Sequence, residues 1–144
     1  MIISDPATPV APEEKHPSPA LELTIRVAGV VISVLAALFS GVLEVFGTQL
    51  RLGGVPIGVS VIAAVVVNPA IAWFAVTTVG RLWAIGPPWI VWTVWMLFAT
   101  GYRTPEGDYL VGGNDWVALA TVLLGSLAFA LYAYRVILQR RLKP

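Results

Sequence analysis

The chain has 144 residues, of which 58% are hydrophobic and 12% are charged, and its formal net charge is +1. A typical soluble domain has roughly 25% charged residues, so this composition argues against a water-soluble fold. The near-neutral charge offers no global field for nucleic acid, and the lack of cysteine excludes disulfides and thiolate metal sites. We therefore expect a protein whose main partner is the lipid bilayer, with no cofactor and no bound metal.

The first 20 residues are rich in proline and are expected to form a disordered cytoplasmic tail. Proline removes a backbone donor and interrupts helices, and the segment has too little apolar surface to fold alone. The single histidine, His16, lies here and is expected to be solvated. The prolines of this segment are Pro6, Pro9, Pro12, Pro17 and Pro19.

Four long apolar segments follow between residues 21 and 138. A helix of about 20 residues crosses ~30 Å of hydrocarbon. The sequence therefore predicts an all-α, four-helix transmembrane bundle, with helices at about 23–46, 57–79, 83–102 and 116–138 and a basic tail at 139–144. Gly53-Gly54 and Gly80 mark the first two connections.

The third helix has two alternative beginnings because Pro87 and Pro88 lie inside its apolar run. Proline kinks a helix from within but is well tolerated in its first turn. The helix is thus expected either to kink at Pro87 or to start there. The second alternative leaves only about 15 residues, a length that requires a thinner local bilayer or tilted neighbours.

The distribution of lysine and arginine predicts the orientation. An even number of spans places both termini on one side of the membrane. Arg51 and Arg103 would lie on the opposite side, and the side of the termini would hold Lys15, Arg26, Arg81, Arg135, Arg140, Arg141 and Lys143. By the positive-inside rule, we expect both termini in the cytoplasm and the protein in the cytoplasmic membrane.

Small residues recur every four positions on the first two helices. Helices associate in lipid through close backbone approach and interhelical hydrogen bonds, which small residues permit. These stripes are expected to face each other or the fourth helix, which carries Thr121 and Gly125 at the same spacing. The first stripe is Gly29, Ser33, Ala37 and Gly41, and the second is Ser60, Ala64, Asn68 and Ala72.

Two polar positions within the spans are candidate functional residues. Asn68 precedes Pro69 near the middle of the second helix, where a kink is expected and the amide needs a partner. We favour a role in packing over solute binding. Glu44 is the one acidic residue inside a predicted span, about a turn from its outer end. An ion pair with Arg51 or Arg103 is preferred there over proton coupling.

Aromatic residues and an acidic loop complete the candidates. Trp89, Trp92 and Trp95 give the third helix a broad aromatic face, which either fills gaps beside small residues or forms a groove for a lipid or a partner.

The loop from Gly101 to Asp115 contains Arg103 and presents Glu106 and Asp108 on a turn at Pro105 and Gly107. Solvated turn charges are favoured there over a cation site.

The segment from Thr104 to Leu110, followed by glycines and an apolar helix, resembles the corresponding loop of a family of small actinobacterial four-helix membrane proteins of uncharacterised function. The resemblance implies a location in the cytoplasmic membrane and carries no activity. Small multidrug-resistance exporters also have four helices and a glutamate in the first, but Glu44 lies near the end of its helix rather than in the middle.

The sequence favours a non-enzymatic accessory or interaction protein that docks in the membrane against a larger partner or itself. Small-residue stripes and the tryptophan face supply contact surfaces, whereas no nucleophile–base pair or metal set can be assembled. The alternative is a homo-oligomeric transporter of a small solute or lipid that uses Glu44 and Asn68. A polar cavity reaching Asn68 would favour this alternative.

Overall fold

The computed structural model describes residues 18–103, 105, 107 and 116–142. These residues form four α helices: α1 (Pro19–Thr48), α2 (Val59–Val79), α3 (Gly86–Gly101) and α4 (Trp116–Leu142). Strands β1 (Arg51–Leu52) and β2 (Val55–Pro56) join α1 to α2, and a 3₁₀ turn, Leu82–Ile85, precedes α3. Four helical segments are long and apolar enough to cross a membrane. This confirms the predicted four-helix architecture, to which the short β hairpin is an addition.

Helix α1 begins earlier than the predicted start near residue 23. The side chain of Ser18 accepts a hydrogen bond from the backbone N–H of Leu21 at 3.4 Å and caps the helix, and Pro19 occupies its first turn. A proline in the first turn costs little because its missing N–H would have had no partner. Pro19 therefore starts the helix rather than belonging to the tail predicted over 1–20. Residues 1–17 of that tail lie outside the described residues.

The turn between β1 and β2 explains the glycine pair at the first connection. Gly53 and Gly54 have φ angles of 59° and 84°, and two consecutive positive φ angles are typical of the type I′ turn that closes a two-residue hairpin. The hairpin brings the end of α1 next to the start of α2. The two helices are consequently antiparallel neighbours.

The start of α3 decides between the two alternatives for Pro87 and Pro88. The α helix begins at Gly86, so both prolines lie in its first turn. The preceding 3₁₀ turn lengthens the continuous helical segment Leu82–Gly101 to 20 residues. The span is therefore longer than the 15 residues expected for a helix that starts at the prolines.

Helix α4 extends past its predicted end at residue 138 and includes Arg140 and Arg141 in its last turn. Cations there favour the helix, because the carboxyl end of a helix carries partial negative charge. The segment predicted as a separate basic tail, 139–144, is thus helical as far as Leu142.

The four helices run alternately up and down, and small residues fill the space between them. Helix α1 packs mainly on α2 and α3, and α2 packs on α4, whereas α3 and α4 touch less. Large apolar side chains point outward on every helix, among them Phe39, Ile62, Leu97 and Leu123. Small residues inside and large apolar residues outside are typical of a bundle surrounded by lipid.

Candidate functional site

The small-residue stripes form contacts between helices inside the bundle. A Cβ added at Gly29 would lie 2.6 Å from Cγ2 of Thr78, so the start of α1 packs closely on the end of α2. At the other end of the bundle, the hydroxyl groups of Ser60 and Thr121 lie 3.0 Å apart and join α2 to α4. These contacts confirm the predicted packing of the first stripe on α2 at Gly29 and of the second stripe on α4, whereas Gly41 of the first stripe faces Trp92 and Trp95 on α3.

Trp92 fills the space that two glycines leave open. Its side chain is fully buried and packs against Phe129 with the ring centroids 6.1 Å apart. A Cβ at Gly125 would overlap the Trp92 ring, and a Cβ at Gly41 would lie 3.4 Å from its Cδ1. Of the two roles considered for the tryptophan face, Trp92 therefore has the gap-filling one.

Trp89 and Trp95 extend this face with different surroundings. The indole N–H of Trp89 donates to the hydroxyl of Ser126 at 2.9 Å and links α3 to α4. Trp95 packs beside Gly41, where a Cβ would come within 2.7 Å of its ring. Both side chains are half-buried, so these rings also serve mainly to join α3 to its neighbours.

Asn68 lies in the middle of α2 and links this helix to α4. A buried amide without a hydrogen-bond partner would be costly there. Its Nδ2 donates to the backbone carbonyl of Gly125 at 3.2 Å, and the residue is fully buried. Its Oδ1 has no hydrogen-bond partner among the described residues. Helix α2 is continuous across Pro69. This geometry favours the packing role for Asn68.

Glu44 is buried, with 2% of its surface exposed, and its two oxygens accept hydrogen bonds from different helices. The Ser40 hydroxyl, one turn earlier in α1, donates to Oε1 at 2.6 Å, and the Trp92 indole N–H in α3 donates to Oε2 at 3.0 Å. The expected ion pair with Arg51 or Arg103 was therefore wrong. The one salt bridge between described residues joins Arg26 to Glu22.

The position of Glu44 along α1 agrees with the prediction, because it lies four residues, about one turn, before the helix ends at Thr48. The side chain turns inward to Trp92 instead of reaching headgroup water.

A lateral groove between α1 and α2 runs past this carboxyl group. Its volume is about 580 Å³ and its walls are almost entirely apolar. Small residues form much of its floor, and Phe39, Leu43 and Phe46 form a ridge along α1. The small and polar residues that line it are Ala36, Ser40, Glu44, Gly47, Ser60 and Ala63. Asn68 is not part of its lining, so this groove is not the polar cavity that a transporter would require there.

Arg103 and Gly107 are not among the residues that line the groove. Arg103 is exposed just beyond the end of α3. Gly107 has a φ of 92°, a value suited to the turn predicted in this loop. Glu106 and Asp108, together with most of the segment that carries the family resemblance, lie outside the described residues.

Sequence reasoning missed the role of Ser40 and the pairing of Glu44 with Trp92. The i, i+4 spacing of Ser40 and Glu44 on one helix would have indicated the first contact. The second depends on how far α3 is shifted along α1, which no local pattern specifies.

Comparison with protein family models, with curated proteins and with solved structures found no match. The functional proposal consequently depends on the geometry of the groove.

Proposed function

We propose that this chain is a non-enzymatic accessory subunit of the cytoplasmic membrane that binds a transmembrane helix of a larger partner in the α1–α2 groove. The observation that carries the proposal is a lateral groove whose lining includes the buried Glu44. Ionisable side chains within membrane spans are costly and commonly mark functional sites. Because the stripes and Trp92 are occupied inside the bundle, docking is assigned to the groove rather than to those surfaces.

The shape of the groove suits a helix. Ala36, Ser40 and Gly47 on α1, with Ser60 and Ala63 on α2, would let a third backbone approach closely. From Ala36 to Gly47 the groove follows α1 for about 17 Å, or roughly three helical turns. Ala36 and Ser40 form a small-xxx-small pair, the pattern that supports close helix crossings in lipid.

The polar floor gives the groove a preference among partner helices. A carboxylate has about four acceptor sites, and Glu44 uses one on each oxygen for Ser40 and Trp92. A hydroxyl, amide or cationic side chain on the partner would supply a further donor where water is scarce. We therefore expect a partner helix with such a donor in its outer half.

The surroundings of the Ser40–Glu44 pair argue against covalent catalysis. A hydroxyl next to a carboxylate is a starting point for nucleophilic chemistry, but that chemistry also needs donors for a developing oxyanion. Both residues lie within α1, whose backbone N–H groups bind helix carbonyls, and the Trp92 N–H already donates to Glu44. The pair is better suited to binding than to turnover.

The experiment that tests this function is photocrosslinking in native membranes. A photoreactive phenylalanine analogue replaces Leu43 in the groove, and in a matched control it replaces Leu119, which is exposed near the hairpin end of α4. Their exposed fractions are 54% and 64%. We expect an adduct with one partner protein from position 43 and none from position 119.

Two further variants show whether the groove itself binds the partner. Glu44→Gln changes the polar contact, and Ala36→Leu fills the groove without removing a hydrogen bond of Glu44. Both should reduce the adduct at least tenfold in protein that still elutes as a folded species. An undiminished adduct in both variants would disprove docking in the groove. An adduct only with a second copy of the chain would instead favour the homo-oligomeric transporter, to be tested by uptake with Glu44→Gln.

A further inference from the structure

A second groove between α1 and α2 lies at the opposite end of the bundle, where the described chain begins. Its volume is about 470 Å³. One wall is formed by the first turns of α1, and the other by the end of α2 and the turn that follows it. The lining residues are Leu23, Arg26, Val27, Val30, Val31, Val79, Arg81 and Trp83. Two guanidinium groups and one indole thus lie around a cavity whose other residues are aliphatic.

The turn after α2 places Arg81 and Trp83 at this groove. Gly80 ends the helix with a φ of 74°, and its N–H donates to the carbonyl of Val76 at 2.8 Å. A left-handed glycine of this kind stops a helix and redirects the chain. The next residue, Arg81, is extended and leads into the 3₁₀ turn that contains Trp83. The turn that ends α2 therefore determines the position of Arg81 at the groove.

The two arginines have different existing partners. Arg26 donates to Glu22, one turn earlier on α1, at 2.5 Å. The guanidinium of Arg81 makes no hydrogen bond or ion pair within the described part of the chain. With Glu22 counted, the two arginines leave this end of the groove with one positive charge in excess.

We propose that this groove binds one anionic phospholipid of the surrounding leaflet, independently of the partner site at Glu44. A phosphodiester would lie between Arg26 and Arg81, since one guanidinium group can donate two parallel hydrogen bonds to phosphate oxygens. One acyl chain would follow the aliphatic wall from Leu23 to Val31, about 12 Å along the helix. Trp83 would lie at headgroup level, where indole rings are enriched.

Charge complementarity selects this occupant over a zwitterionic lipid. A phosphatidylcholine headgroup would bring a quaternary ammonium close to two arginines, whereas phosphatidylglycerol brings only the phosphate charge and hydroxyl groups. Basic pockets between membrane helices are a recognised way to bind anionic headgroups. A free phosphate would make no contact with the aliphatic wall. Binding that requires the acyl chain therefore distinguishes a phospholipid from free phosphate.

The test is a titration of the full chain in detergent with dioleoyl phosphatidylglycerol or dioleoyl phosphatidylcholine, followed by native mass spectrometry. We expect the wild-type protein to bind the anionic lipid at least tenfold more tightly. The double variant Arg26→Gln/Arg81→Gln should lose about 25-fold in affinity, roughly fivefold for each arginine. The matched control Arg140→Gln/Arg141→Gln removes the same charge from the end of α4 and should lose less than threefold.

Several results would overturn the site. Equal losses in the two double variants would mean that net charge attracts the lipid without a specific groove. Equal binding of the two lipids by the wild type would remove charge selection. Competition by millimolar glycerol phosphate would indicate a free-phosphate site.

Unchanged thermal unfolding of both double variants in phosphatidylcholine nanodiscs would show that an affinity loss is not caused by misfolding. Because the partner adduct at position 43 is measured separately, failure of either proposal leaves the other testable.

Discussion

Glu44 joins two helices through the two oxygens of one carboxyl group. Ser40 and Trp92 each donate one hydrogen bond to it, and both donor residues are buried. Removing the acceptor would thus leave donors buried without partners, which costs more than the bonds themselves contribute. The same carboxyl group lines the lateral groove, so its packing role and its proposed binding role are distinguishable only by separate measurements.

Replacement of Glu44 by Gln is expected to lower the free energy of unfolding by about 1–3 kcal/mol, the cost of leaving a buried donor without an acceptor. The amide oxygen can accept from either Ser40 or Trp92, and the NH₂ replaces the other carboxyl oxygen, so one of these two donors loses its acceptor. Unfolding of the detergent-solubilised protein by sodium dodecyl sulfate measures the change. Ser40→Ala is the control and should cost about 1 kcal/mol, because it removes one donor and leaves the Trp92 bond. Wild-type stability of Glu44→Gln would contradict the hydrogen-bond geometry.

Gly125 gives a second test at the scale of one residue. A methyl group there would overlap the Trp92 ring and would also lie 3.0 Å from Cβ of Ala64. Overpacking of a filled core costs about 1–3 kcal/mol, so Gly125→Ala should destabilise the protein by that amount in the same unfolding assay. Gly86→Ala is a suitable control, since a Cβ at Gly86 meets nothing within 4 Å. Equal stability of the two variants would show that Trp92 moves freely.

Some of these residue contacts follow from the sequence and others do not. The spacing of small residues on α1 and α2 predicts which faces are buried, because side chains four apart lie on one side of a helix. The partner of Glu44 was expected to be an arginine, since charge is visible in a sequence. Trp92 reaches it only through the relative shift of α1 and α3, which many side chains together determine.

At the scale of the helices, α2 is held to α4 by hydrogen bonds near one end and the middle of α2. The Thr121 hydroxyl donates to the carbonyl of Val117 at 2.7 Å. Its proton is therefore used, and Ser60 is the donor in the bond between the two hydroxyls. Asn68 donates to the carbonyl of Gly125 further along the same pair of helices. Both bonds fix the register of α2 on α4.

A double-mutant cycle with Ser60→Ala and Thr121→Val should give a coupling free energy of about 0.6 kcal/mol, the average for interhelical hydrogen bonds in a membrane protein. Valine keeps the shape of threonine and removes the acceptor. Unfolding in mixed micelles of the two single variants, the double variant and the wild type provides the four values. Ser60→Ala with Thr100→Val is the control cycle, because Thr100 donates to Leu97 within α3 and should show no coupling to Ser60. Additive losses in the first cycle would contradict a direct bond.

Helix boundaries were less predictable than helix existence. The apolar runs are long enough to predict all four helices, but capping determines the ends. Ser18 caps α1 and Pro19 fits its first turn, so a proline that suggested disorder belongs to the helix. The same principle places Pro87 at the start of α3. Prolines mark helix beginnings as well as helix breaks, and the pattern alone leaves the two alternatives open.

At the scale of the whole molecule, the two grooves occupy opposite ends of the same helix pair. One is almost entirely apolar and has Glu44 in its lining, and the other carries two arginines and a tryptophan. The difference in charge agrees with the proposed orientation, in which the arginine-rich end faces the cytoplasm. Anionic lipids of the cytoplasmic leaflet would then meet the arginines. A partner helix would meet Glu44 in the outer half of the membrane.

This orientation is testable by labelling, because the chain contains no cysteine and each introduced thiol is unique. Leu52→Cys lies in the hairpin and Leu142→Cys at the end of α4, and the native side chains are equally exposed at 73%. With both termini in the cytoplasm, a membrane-impermeant maleimide should label position 52 in intact cells. It should reach position 142 only after permeabilisation. Equal exposure makes the two thiols a matched pair, so unequal labelling reports the side of the membrane. Labelling of position 142 in intact cells, with position 52 protected, would reverse the orientation and would place the arginine groove in the outer leaflet.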